Sequence, residues 1–277
     1  MVVFFALLAA ACYGISDFFG GFASRTAKAL TVLLYNYPAG ALVMIALLPL
    51  FPGPVSWSTL LWSACGGLAG MTGVGLMYSA MAVAPMNVIS PVTGLLAALV
   101  PVLAGVALGE RPAALVWLGM ALALAAVVFI TRTPQDHPHG PLSWTPVLMA
   151  LGAGVGFGAY FVCLARTDRN SGLWPVVIAR VTSSVLVLPV AVRAGALTRL
   201  PARIAGLALI AGTVDAASNL AFLLASRHGY LSVAGVITAL YPAATVLLAI
   251  AVLKERTGRI QWVGMAMAVV AVVLVTS

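Results

Sequence analysis

The chain has 277 residues, 63% hydrophobic and 7% charged, with a formal net charge of +8 from 14 Lys+Arg against 6 Asp+Glu and a mean hydropathy of +1.13. A soluble domain carries about 25% charged and about 45–50% apolar residues, so this composition excludes a water-soluble domain, a disordered tail and a nucleic-acid binder. The basic residues fall in short gaps between apolar runs, where headgroup contacts and topology signals belong, and the sequence reads as an integral membrane protein.

A helix that crosses the hydrocarbon needs about 20 mostly apolar residues. By that measure the chain offers ten candidate spans: 2–23, 30–50, 59–83, 87–108, 113–131, 145–165, 173–192, 204–225, 230–252 and 260–276. No Lys or Arg precedes the first run, which continues to Ala23, so it reads as a retained helix and not a cleaved signal. Ten-residue alternation is missing from the sequence, which argues against a barrel; helices are the remaining way to satisfy the backbone in lipid. Most connections are short. The longest, Arg132–Ser143, is rich in Pro, His and Gly and divides the chain into 1–131, a linker 132–144, and 145–277. Cys12, Cys65 and Cys163 lie in apolar runs without C-x-x-C spacing and read as small buried hydrophobes.

The two halves repeat. A shift of 145 positions puts Glu110-Arg111 on Glu255-Arg256, Trp117 on Trp262 and Gly119-Met120 on Gly264-Met265, with 11 identities in the 22 positions from 110 to 131. Five spans per copy is an odd number, so the second copy enters the membrane upside-down relative to the first. The fold expected is therefore all-α, ten transmembrane helices in two inverted five-helix repeats. In secondary transporters of that architecture the substrate site lies near the midplane between the repeats.

The half-ends LVPVLAGVALGERPAALVWLGMALALAAVVFITRT and TVLLAIAVLKERTGRIQWVGMAMAVVAVVLVTS, with the aromatic-Gly starts Tyr13-Gly14 and Phe157-Gly158, resemble the EamA-type family of the drug/metabolite transporter superfamily. The resemblance spans essentially the whole chain. It implies a multi-pass protein of the cell membrane that moves a small organic metabolite, such as an amino acid or a drug-like compound, with both termini inside. The positive-inside count points the other way. Nine basic residues fall in odd-numbered connections and four in even-numbered ones, which puts both termini outside.

Burying a charge in a bilayer costs at least about 2.5–3.5 kcal/mol, and three formally charged residues lie inside the spans: Asp17, Arg180 and Asp215. Asp215 lies roughly 16 Å deep at 1.5 Å per residue. Ser218, Asn219 and Phe222 follow at i+3, i+4 and i+7 on the same helical face. This stripe is either a cavity wall that contacts substrate or a coupling proton, or a hydrogen-bonded cluster between helices. Asp17 lies roughly 9 Å below the surface, with Asn36 at similar depth on the same membrane side. Small multidrug members of the superfamily carry an acidic residue in their first helix for proton and cation binding, and Asp17 resembles that placement. Arg180 aligns with Asn36 at a 144 shift and with an Arg common in second helices of the family. It would grip a carboxylate or phosphate, snorkel to the headgroups, or neutralise Asp215.

Tyr13, Tyr78, Tyr160 and Tyr241 are candidates to line a cavity, and Trp57, Trp62, Trp144 and Trp174 read as an interfacial belt. Glu110 and Glu255 each precede a helix start and pair with the adjacent Arg, a structural arrangement. The glycines at 66, 67, 70, 73 and 75 and at 152, 154, 156 and 158 lack a Gly-Lys-Ser/Thr and read as close-packing positions.

The sequence contains no G-x-x-x-x-G-K-[ST], so transport would run on a gradient or by exchange. Without a His in any span, an intramembrane enzyme is disfavoured and no metal or other cofactor is expected. The expected partners are a small-molecule substrate, the lipid bilayer and a coupling proton. The alternatives are a channel-like permease and a membrane scaffold without transport.

Overall fold

The computed structural model describes residues 1–84, 86–130, 144–253 and 258–276. Among them are eleven α-helices and no strand: α1 Val2–Ser24, α2 Ala29–Leu47, α3 Trp57–Val83, α4 Met86–Ala107, α5 Ala114–Ile130, α6 Trp144–Ala165, α7 Trp174–Arg193, α8 Ala202–Arg227, α9 Leu231–Thr238, α10 Tyr241–Leu253 and α11 Arg259–Thr276. Six of them (α1, α2 with its trailing 3₁₀ turn, α3, α6, α7 and α8) are long and apolar enough to cross a membrane. The linker expected at 132–144 and Glu255 lie outside the described residues, apart from Trp144, which opens α6.

The starts and stops have local causes. Ser56 caps α3, its Oγ accepting from the Thr59 amide at 3.0 Å. The expected ninth span, 230–252, is not one helix. It breaks between Thr238 and Tyr241, because Pro242 has no amide hydrogen for the Thr238 carbonyl and its ring crowds that carbonyl. The Leu240 amide bonds to Ile237 at 3.1 Å and the Ala243 amide to Leu240 at 2.9 Å, a local 3₁₀ tightening around the break. The break is buried, with Ala239 and Leu240 in the apolar core.

Helices pack mainly across the halves. The most extensive contacts join α1 to α8, α3 to α6 and α5 to α11; α2 lies on α7 and α8, and α3 also on α7. Exchanging the halves maps these contacts onto one another: α1 on α8 becomes α6 on α3, and α2 on α8 becomes α7 on α3. Small residues allow the close approaches. A Cβ on Gly40 of α2 would stand 2.7 Å from the Gly212 carbonyl of α8, and one on Gly212 would run into the Asn36 carbonyl. Several glycines of α3 and α6 likewise face neighbouring backbone or aromatic rings: Gly67 meets Ala179, Gly70 meets Tyr160 and Gly156 meets Gly73.

Each end of the bundle is tied across the halves. At one end the Leu173 amide donates to Phe51 O at 3.1 Å, and Gly172 adopts a left-handed φ of +55° directly against Phe51 and Pro52, a conformation and a closeness that favour glycine. At the other end Lys28 Nζ reaches Gly195 O at 3.1 Å and Thr31 Oγ1 reaches Ala196 O at 2.8 Å.

Candidate substrate site

Arg180 of α7 and Asp215 of α8 form an ion pair in the middle of the bundle, 4% and 7% exposed. Arg180 therefore does not snorkel to the headgroups: the carboxylate on the facing helix and the Tyr37 ring, 5.7 Å from its guanidinium carbon, hold it inside. Asn36 and Arg180, equivalent positions of the two halves at the 144 shift, come together at α8. Both lie against the same stretch of α8, Asn36 on Gly212 and Arg180 on Asp215 one turn further along.

The pair opens onto a cavity of about 30 Å³. Arg180, Asp215, Asn219 and Ser183 supply its polar wall, while Tyr13, Tyr37, Phe157 and Tyr160 supply aromatic faces. The i, i+4, i+7 stripe of α8 accounts for part of this. The Tyr13 hydroxyl donates to Asn219 Oδ1, and Phe222 stacks on Phe161 with ring centroids 4.2 Å apart. Ser218 is the exception on that stripe. It is fully buried and its hydroxyl turns back to Val214 O at 3.0 Å and Asp215 O at 2.8 Å, so its hydrogen bonds stay within α8.

Tyr78 and Tyr241 are buried but lie outside the lining; the Tyr78 hydroxyl sits directly over Gly20 and the Tyr241 carbonyl over Gly14. Asp17 is buried in α1 and makes no hydrogen bond or ion pair among the described residues, although its neighbour Ser16 donates to Ala211 O at 2.9 Å. Asn36 is 1% exposed, and neither Oδ1 nor Nδ2 has a hydrogen-bond partner among the described residues. An amide so placed costs free energy unless another arrangement satisfies it.

Ser183 and Tyr37 had not been singled out from the sequence, and Phe157 had been named only for the start of the second half, not as a lining residue. Ser183 stands at i+3 from Arg180, a spacing that could have found it. Tyr37 and Phe157 enter only through tertiary packing. Two structural expectations change. Glu110 does not cap the helix that follows it: its carboxylate accepts the Leu231 amide at 2.6 Å and the Ser232 amide at 3.1 Å, capping α9 in the other half. Cys65 is exposed on the outer surface of α3, whereas Cys163 is buried. Trp57 and Trp144 are both largely exposed at helix starts. Among the described residues no group of three or more His, Cys, Asp or Glu could hold a metal ion.

Comparison with known proteins accords with this arrangement. No curated protein matches the chain. Twenty-six chains of solved structures match it; one of them, described as a crystal structure of a protein, superposes with a TM-score of 0.73 at 20% identity, covering 99% of this chain and 95% of its own. That likeness shows the fold alone. The EamA-like transporter family matches the chain twice, over residues 1–132 and 144–277. With both halves matched and apolar helices throughout, the chain belongs to the EamA-like transporter family, membrane transporters of the drug/metabolite superfamily.

Proposed function

We propose that the protein is a gradient- or exchange-driven exporter of a small zwitterionic metabolite of the amino-acid class, residing in the cell membrane. The observation that carries this reading is the buried Arg180–Asp215 pair facing the tyrosine-lined cavity. A ligand that brings its own carboxylate and ammonium replaces the pair charge for charge. Its carboxylate takes the planar fork of Arg180 and its ammonium takes Asp215, so neither protein charge is left unpaired in a dry site. A ligand of one sign strands one of the two. The tyrosine and phenylalanine faces then receive the side chain, and Asn219 offers a hydrogen bond to its polar atoms, while the Ser183 hydroxyl, which donates to Gly67 O at 2.8 Å, can only accept.

The cavity, about 30 Å³, is far below the roughly 300–1,000 Å³ of small-molecule sites, which fits a contracted conformation through which the protein passes between two open ones. The exchange-related packing of the halves supports inverted repeats 1–131 and 145–277, joined by the linker 132–144 and working by alternating access. Asp17, buried without an ionic partner among the described residues, is the residue we assign to the coupling proton. Asn36, with its unsatisfied amide, gains partners in one of the other conformations.

The test is transport in reconstituted vesicles over a panel of amino acids, organic cations and organic anions. Arg180→Lys keeps the charge but loses the bidentate fork, so KM for the zwitterion is expected to rise about tenfold with a smaller change in kcat. Asp17→Asn is expected to retain counterflow exchange while losing accumulation driven by a proton gradient. Preference for simple cations or anions over zwitterions, or an unchanged KM in Arg180→Lys, overturns the reading of the pair.

A further inference from the structure

A second pocket lies at the end of the bundle that carries Met1. It is open, has a volume of about 360 Å³, and is lined by Arg169, Arg227, His228, Gly229 and Tyr230. It is separate from the Arg180–Asp215 cavity, shares no residue with it, and has no part in the proposed transport step.

Among the described residues its arginines have no ion-pair partner. The ion pair among those residues is Arg180–Asp215, and neither Arg169 nor Arg227 has a carboxylate oxygen within ion-pairing distance. Asp168, next in sequence to Arg169, turns Oδ2 to the hydroxyls of Ser56 and Thr59 instead. Arg227 is held in place by neutral acceptors only: Nη1 donates to Gly172 O at 3.0 Å, and Nη2 to Asp168 O at 3.2 Å and Ser171 Oγ at 3.0 Å. Those bonds fix the guanidinium without neutralising it. Arg169 is exposed and makes no hydrogen bond among the described residues. His228 Nδ1 lies 2.7 Å from Leu224 O, an atom that only accepts, so Nδ1 carries the hydrogen and Nε2 remains uncommitted.

The pocket also borders an apolar strip of α1. The Phe5 ring lies 5.6 Å from the His228 ring, and a Cβ on Gly229 would stand 3.0 Å from Val2. Beside them Met1 and Phe4 are 77% and 62% exposed. Two cations at the end of an apolar span, Arg227 held in place and Arg169 exposed, next to exposed apolar side chains, match a ligand with an oxyanion at one end and hydrocarbon at the other.

We propose that this pocket binds a phosphate-bearing group, held by Arg169 and Arg227, of the kind carried by an anionic phospholipid whose chains run along α1. Net charge and hydrocarbon would then set affinity together, and a soluble phosphate would use the same cations without the strip.

The experiment uses the full-length protein purified in neutral detergent, with native mass spectrometry and thermal melts as readouts. The probes are dioctanoyl phosphatidylglycerol, dioctanoyl phosphatidylcholine and glycerol 3-phosphate. Phosphatidylglycerol is expected to bind and stabilise more than phosphatidylcholine, and Arg169→Gln to weaken it about five- to tenfold. Arg169→Glu should weaken it further, and because Arg169 is exposed and makes no hydrogen bond or ion pair among the described residues, both variants are expected to fold as wild type. Arg199→Gln, between α7 and α8 at the opposite end, is expected to bind as wild type. Binding of phosphatidylglycerol without glycerol 3-phosphate assigns the site to lipid, whereas Arg169-dependent binding of both assigns it to phosphate esters generally. Equal binding of the two lipids, or unchanged binding in both Arg169 variants, overturns the proposal.

Discussion

Replacing Asp215 by Asn leaves the Arg180 guanidinium buried at 4% exposure with no carboxylate to face. Removing one partner of a buried pair costs about 3–5 kcal/mol, because the surviving charge keeps its desolvation penalty and loses its compensation. Against a typical total stability of about 5–15 kcal/mol this is roughly a fifth or more of what holds a fold together. Asp215→Asn and Arg180→Gln are therefore each expected to lower the thermal midpoint of the detergent-purified protein and its abundance in membranes. The double variant Arg180→Gln/Asp215→Asn removes both charges and is expected to regain most of the stability, while binding no zwitterion. A double-mutant cycle on thermal unfolding gives the coupling directly, and substrate stabilisation reads the binding loss. If the single variants melt with the wild type and the double variant shows no coupling, the pair does not carry the burial cost assigned to it and the reasoning fails.

Three more outcomes follow from the packing and the helix caps. Gly40→Ala places a methyl 2.7 Å from the Gly212 carbonyl, which forces α2 and α8 apart and should cost about 1–3 kcal/mol in a thermal melt. Gly206→Ala has nothing within 4 Å of the added Cβ and should be neutral or slightly stabilising. Glu110→Gln weakens two charge-assisted bonds to the start of α9. A loss of about 1 kcal/mol is expected, seen as faster hydrogen exchange at the Leu231 and Ser232 amides, and unchanged exchange there would refute the cap.

Much of the helical layout was legible because its signals are one-dimensional. Runs of apolar residues near 20 long, separated by Pro, Gly and Arg, place nine of the expected spans within a few residues of observed helices. The ninth span was misread because its hydropathy runs unbroken across Ala239 and Leu240, while the break arises from one missing amide at Pro242. Membrane depth picked out Arg180 and Asp215, since charge inside a span is costly wherever the chain folds. Their pairing was open, because helical spacing says nothing about which facing helix completes a charge. The same limit hid Tyr37, whose ring meets Arg180 only through the α2–α7 contact, and sent Glu110 to the wrong helix. Sequence favours the neighbour 3–4 residues away, whereas this carboxylate travels 121 positions along the chain to find its amide. Ser218 shows the opposite error: its helical face was read correctly, but the hydroxyl satisfies itself on its own backbone.

The exchange of contacts between the halves has a consequence for how the chain is made. The principal neighbour of α1 is α8, which is complete only at Arg227. At translation rates of roughly 5–20 residues per second, the first helix spends on the order of 10–40 s in the bilayer before that neighbour exists. Throughout that interval the Asp17 carboxyl has lipid, translocon or chaperone for company, and the Tyr13 hydroxyl lacks Asn219. The first half is thus an inserted set of helices whose most extensive contacts are still missing, and the core closes fully only when the second half arrives. Synthesis of 1–131 alone should give a membrane-inserted but protease-labile product, and co-synthesis of 145–277 should rescue it.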